Sequence, residues 1–183
     1  MILAQLPFGM LGTMTITGEH ASGMLDTTHL ATPSRARVLL AKASVLSGAA
    51  IAGSLLIAIP GYLYGRFLAA EFGPSPLPAG AWQVIGGGTL MIVVTTLLGL
   101  ALGAILRNGA VATAALVAIV LVLPFVARVL PWGEVINRFL PAYPALQLIE
   151  QAPDIMPAWA AFAVLAGWAV VPLLVAARWS RPR

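Results

Sequence analysis

The chain has 183 residues, 60% of them hydrophobic and only 9% charged, with a mean hydropathy of +0.96. Soluble domains carry about 25% charged residues, and too little polar sequence remains here to cover a soluble core. The net charge of +4 does not point to nucleic acid, because the ten basic residues are spread along the chain and stand mostly at the ends of apolar runs, where membrane topology puts them. Cysteine is absent, which excludes disulfides, thiolate nucleophiles and cysteine metal sites together.

A helix rises about 1.5 Å per residue, so about 20 residues cross some 30 Å of hydrocarbon. The reading is all-α: a polytopic helical membrane protein in a single transmembrane domain over 1–183, with five spans at about 1–17, 43–65, 84–106, 109–130 and 157–177. The first span sits at the lower limit of length. It lacks a basic n-region and an Ala-x-Ala cleavage site, so it reads as a span rather than a signal peptide.

A polar elbow over 18–42 follows, "GEHASGMLDTTHLATPSRARVLLAK" from Gly18 onward. Ser22-Gly23 can open a short helix there, and Thr32-Pro33 pairs an N-cap residue with proline at the first helical position, so a helix can run unbroken into the second span. The outer loop 66–83 carries three prolines and reads as extended. Residues 107–108 form a turn. In the second outer loop, 131–156, Val135, Ile136, Phe139 and Leu140 recur at helical spacing, which predicts short interfacial helices before the last span. Trp82, Trp132, Tyr143 and Trp159 fall at outer edges, as an aromatic belt would.

Five spans put the termini on opposite sides. With the elbow, the 107–108 turn and the C-terminal tail inside, Arg35, Arg37, Lys42, Arg107, Arg178, Arg181 and Arg183 make seven basic residues inside against three outside, Arg66, Arg128 and Arg138. The expectation is a multi-pass protein of the plasma membrane, with the N-terminus of this chain outside and the C-terminus cytoplasmic.

All six carboxylates map to loops, which disfavours ion-coupled transport, since relays place charges inside the membrane. A phosphate-binding loop needs glycines followed by Lys-Ser or Lys-Thr, and the single lysine, Lys42, follows "RVLLA". Neither a metal-ligand spacing nor a Gly-x-Ser-x-Gly elbow appears, and the expectation is no catalytic residue, no metal and no cofactor in this chain. The spans offer packing instead. Thr95, Gly99 and Gly103 recur every four residues on one helix face and Ser44, Gly48 and Ala52 on another, where backbones can approach closely.

Residues 17–42 resemble the cytoplasmic elbow of ABC-2-type ATP-binding-cassette permeases, which runs as T-G-E-Y-x-[ST]-G-x-[IL]-x-T-T-L-x-A-x-P-x-R before a Val-Leu-x-Ala-Lys pattern. Thr17, Gly18, Glu19, Ser22, Gly23, Leu25, Thr27, Thr28, Ala31, Pro33, Arg35, Val38, Leu39, Ala41 and Lys42 stand at matching positions. "LLGLALGAILRN" at 97–108 and "RFLPAYPA" at 138–145 are similar to later segments of that family.

The resemblance implies a permease subunit that is not itself an enzyme. A cytoplasmic ATPase subunit would bind the ATP, and a second permease half, in a homo- or heterodimer, would complete an exporter of amphipathic or hydrophobic substrates. Glu19, Gly23, Leu25, Asp26, Thr27, Thr28, Pro33 and Arg35 would form the ATPase-coupling elbow. Two departures stand out. Ala21 and Asp26 occupy positions that are often basic in the family, and family permeases begin one span earlier, which implies a span upstream of Met1. The alternative class is a non-transporting membrane anchor or immunity-type scaffold derived from such a permease.

Overall fold

The computed structural model describes residues 4–22, 35–71, 80–150 and 156–179, and every regular element among them is a helix. In chain order these are α1 (Gln5–Ser22), α2 (Arg35–Glu71), α3 (Ala81–Leu106), α4 (Gly109–Val117), a π-helical turn (Ala118–Val122), α5 (Leu123–Val129), α6 (Gly133–Phe139), α7 (Ala142–Glu150) and α8 (Ala158–Trp179).

Four stretches are long and apolar enough to cross a membrane: Ala36–Leu68, Ala81–Leu106, Gly109–Val129 and Ala158–Arg178. They make this a multi-pass membrane protein by length and composition. Where five spans were expected, α1 does not join the four. It opens on Gln5, carries Glu19, His20 and Ser22 in its last turn, and keeps too short an apolar run between them.

α3 is the core of the bundle. Over its most apolar window 56% of residues are buried, against 22% in each of the other three candidate spans, and α1, α2, α4, α7 and α8 all pack on it. Its neighbours show their directions. Gln5 lies beside Thr95, Gly9 beside Gly99 and Thr13 beside Gly103, so α1 runs parallel to α3 and flanks only its C-terminal half. Leu165 packs with Met91 and Val94, and Ala176 with Leu100, so α8 is also parallel. Ser54 meets Thr89 while Leu39 and Ala43 join Leu100 at the other end, which makes α2 antiparallel.

Turn chemistry explains the sharp reversal after α3. Arg107 takes the left-handed conformation at φ 54° and donates its N–H to the Gly103 carbonyl at 3.0 Å. Asn108 then caps α4, its Oδ1 accepting from the N–H groups of Ala110 at 3.0 Å and Val111 at 3.2 Å, which satisfies two of the donors a helix start leaves open. Further on, Pro124 has no N–H to give and its ring crowds the carbonyl four residues back. The helix widens there, with the Leu123 N–H reaching the Ala118 carbonyl five residues back, a π turn of the kind that admits an awkward residue without breaking the rod.

One loop boundary differs from the sequence reading. Helix α2 continues to Glu71, so residues 66–71 are helical instead of starting an extended loop. "RFLAAE" contains good helix formers, and the prolines begin only at Pro74. In the 131–156 segment the short helices are α6 and α7. Val135, Ile136 and Phe139 turn outward while Leu140 is buried.

The outward face of α2, with Leu40, Val45, Leu56, Leu63 and Phe67 all exposed, is a surface suited to lipid rather than to water. Buried hydroxyls are met within the helices. Thr17 donates to the Thr13 carbonyl, Thr95 to Met91 and Thr96 to Ile92, each at 2.7–2.9 Å. Such back-bonding removes the cost of an unpaired polar group in an apolar surrounding.

Candidate functional site

Two features stand out, one toward each end of α3. The first lies where the elbow leaves the bundle. Glu19, on the last full turn of α1, forms an ion pair with Lys42 on α2, and their side chains keep only 28% and 15% of their exposure. The pair closes the two roots of the elbow over the apolar cluster of Ile16, Leu39, Ala43, Leu100 and Ala176. A partly buried pair of this kind contributes about 1 kcal/mol, and its greater effect is geometric, since losing one partner strands the other charge.

Of the elbow residues expected from the sequence, Glu19 is in α1 and Arg35 is the first residue of α2. Gly23, Leu25, Asp26, Thr27, Thr28 and Pro33 lie outside the described residues, as does the Thr32-Pro33 start signal. Lys42 entered the reading as part of the family pattern and as the lone lysine; its pairing with Glu19 was not anticipated. Opposite charges 23 positions apart on either side of a polar elbow were the available signal.

The helix-packing residues divide. Thr95 is buried, and its hydroxyl lies 3.3 Å from the Gln5 side-chain oxygen and 2.8 Å from the Met91 carbonyl. A Cβ added to Gly99 would stand 2.1 Å from the Gly9 carbonyl oxygen, and one added to Gly103 would stand 2.9 Å from the Thr13 carbonyl oxygen. The two backbones therefore touch along this face.

The partner stripe on α1, Gly9 and Gly12, was missed. It was legible as two glycines three apart, and a Cβ on Gly12 would reach 2.2 Å from the Thr96 carbonyl oxygen. Gly48 has no such neighbour among the described residues of the chain. Nothing lies within 4 Å of its Cβ position, and Ser44 and Ala52 are exposed with it. The face of α2 turned inward is instead that of Leu39, Ala43, Ala50, Ser54 and Ala58, and the α2 glycine under a neighbour is Gly53, against the Phe8 ring.

Hydroxyl groups also make polar contacts between helices: Thr95 with Gln5, Thr13 with Thr113 at 3.2 Å, and Ser54 with Thr89 at 3.1 Å. An activated hydroxyl nucleophile needs a general base within reach, whereas the partners of these hydroxyls are carbonyls, one carboxamide and other hydroxyls. These contacts tie helices together. Among the described residues no group of three His, Asp or Glu side chains is placed to hold a metal ion.

The second feature is a cavity of about 740 Å³ between the N-terminal part of α3, α7 and the start of α8. Leu90, Leu148, Met156 and Phe162 supply apolar wall, and Gly86 and Gly87 leave the α3 side of it flat. Trp82, Gln83 and Gln147 bring the side-chain hydrogen-bonding groups. Gln147 is held in place by donating its amide to the Met156 carbonyl. Trp82, Trp132 and Trp159 are each 75% exposed at this end of the bundle, where amphipathic rings suit a membrane–water boundary. The volume lies within the range of about 300–1,000 Å³ typical of small-molecule sites. Comparison with protein-family models finds no match for the chain, and comparison with curated proteins finds no relative.

Proposed function

We propose that this chain is the transmembrane permease subunit of an ATP-driven exporter, with ATP bound and hydrolysed by a separate cytoplasmic subunit that docks on the 18–42 elbow, and with a second permease half completing the pathway. The observation that carries the reading is the elbow itself. Residues 17–42 resemble the coupling segment of ABC-2-type permeases, and Glu19 and Lys42, both on that pattern, are the residues whose ion pair joins α1 to α2. The pair ties together the two helices on either side of the elbow. The seven-to-three distribution of basic residues supports a cytoplasmic elbow and a cytoplasmic C-terminus in the plasma membrane.

Energy from a partner also agrees with what the chain carries, since it has no Gly-x-x-x-x-Gly-Lys loop for phosphates. The test is co-purification with the ATPase subunit. Deleting Met24 to Leu30 is expected to abolish it, and undiminished binding would remove the coupling role. Binding kept intact, with no ATP-dependent flux in vesicles, is the result a non-transporting scaffold would give.

A further inference from the structure

We infer that the 740 Å³ cavity between α3, α7 and α8 is a binding site for an uncharged single-chain amphiphile, whose chain lies along the Gly86–Gly87 wall and whose hydroxyl- or amide-bearing head sits beside Gln83 and Gln147. That such a ligand is cargo rests on the exporter reading; that it binds does not.

The chemistry of the lining sets the class. None of the described side chains that line the cavity is charged. A charged head would give up its hydration with no countercharge from these side chains. A sugar or an ion would find too few polar partners, because Leu90, Leu148, Met156 and Phe162 make most of the wall. The Gln83 carboxamide and the Trp82 indole N–H offer both donors and acceptors to a neutral head, and Gln147, held by the Met156 carbonyl, adds a polar wall beside them. Depth agrees with this. Trp82, 75% exposed, marks the mouth, and Leu90 lies eight residues further along α3, about 12 Å down the helix, a slot for an apolar chain below an interfacial head.

Gly86 gives the decisive variant. It lines the cavity, and a Cβ built on it meets nothing within 4 Å, so a larger side chain enters the empty volume without displacing protein. Gly61 on α2 has the same open Cβ position and lies away from the cavity, which makes Gly61→Leu the matched control.

The experiment uses the full chain in nanodiscs of a zwitterionic two-chain phospholipid, with a diazirine-bearing monoacylglycerol as photoprobe and peptide mapping as readout. Saturable labelling of the 82–90 and 156–162 peptides is expected. Unmodified monoacylglycerol should compete it away, whereas an alkyl sulfate and an alkyltrimethylammonium of equal chain length should compete about tenfold less well, the equivalent of losing less than two buried methylenes. Gly86→Ala should weaken labelling, Gly86→Leu should remove it, and Gly61→Leu should leave it unchanged.

Labelling that rises linearly with probe and matches that of the lipid-facing α2 peptides would overturn the site. Equal competition by the charged amphiphiles would overturn the class. Equal labelling by a diazirine phospholipid would make the occupant a resident bilayer lipid and overturn the single-chain assignment. None of these outcomes depends on the ATPase, so a failed elbow deletion test leaves the cavity standing, and a failed labelling experiment leaves the elbow reading standing.

Discussion

Replacing Gly99 by alanine puts a methyl group 2.1 Å from the Gly9 carbonyl oxygen and 3.0 Å from its carbonyl carbon. Ordinary contact begins at 3.4 Å, so α1 and α3 must part by 1.3 Å, that is 3.4 less 2.1. Both sides of this contact are backbone, and no rotamer change absorbs the shift. A gap of 0.5–1 Å already forfeits about a quarter to a half of a dispersion contact. In a bilayer that loss is not offset by a hydrophobic driving force between helices, because lipid chains are as apolar as leucine.

The expected cost is about 3 kcal/mol, the upper end for overpacking, against a helix-propensity gain of about 1 kcal/mol for removing a glycine. Gly48→Ala is the control, since nothing stands within 4 Å of its Cβ; it should be neutral or stabilise by at most about 1 kcal/mol. Reversible unfolding in mixed detergent–SDS micelles, followed by tryptophan fluorescence, measures both. Equal midpoints for the two variants would refute the α1–α3 backbone contact.

The Glu19–Lys42 pair predicts that Glu19→Lys destabilises the α1–α2 junction by roughly 1 kcal/mol or more through like-charge repulsion, and that adding Lys42→Glu recovers most of it in a double-mutant cycle. Gln5 is 1% exposed and its Nε2 has no hydrogen-bond partner among the described residues, so Gln5→Met should raise stability by about 1 kcal/mol in the same unfolding assay. Asn108→Ala removes the acceptor for the Ala110 and Val111 N–H groups and should cost about 1 kcal/mol, seen as faster amide exchange in the first turn of α4. Trp168 donates its indole N–H to the Phe139 carbonyl at 2.6 Å. Trp168→Phe should therefore loosen the end of α6, with faster proteolysis between α6 and α7 as the readout.

What could be read from the sequence depended on whether the signal was local. The four long apolar stretches were legible because span length follows from bilayer thickness alone, and the 107–108 turn was legible because two polar residues sit between two spans. The length of α2 was not, since 43–65 marks where lipid begins and not where the helix does. Helix formers on both sides carry it from Arg35 to Glu71. Small residues every four positions were a half-signal. The pattern is the same for Gly99, where a backbone lies against the helix, and for Gly48, where nothing does; only the partner helix distinguishes them. The cavity left no trace in any one segment. Its lining comes from Trp82–Leu90, Gln147–Leu148 and Met156–Phe162, three stretches that meet only through the packing of α7 and α8 on α3.

That packing also gives the proposed coupling its mechanical problem and a route through it. The elbow roots and the cavity lie toward opposite ends of α3, with Gly103 beside α1 and Gly86 on the cavity wall; these 17 residues span about 25 Å of helix. Proximity to one rod is not coupling, which requires an element with two arrangements that both ends bias. α3 meets α1 backbone to backbone at Gly12 and Gly99, while the side chains of Thr95 and Leu116 close on Gly9. Small residues let the two backbones come this close. The hydrogen bonds that cross this region, Gln5 with Thr95 and Thr13 with Thr113, are few, and the threonine hydroxyls have carbonyls of their own helices to return to. A shift of α1 on α3 would thus exchange contacts instead of abandoning them. The proposed exporter needs that property where the elbow joins the bundle.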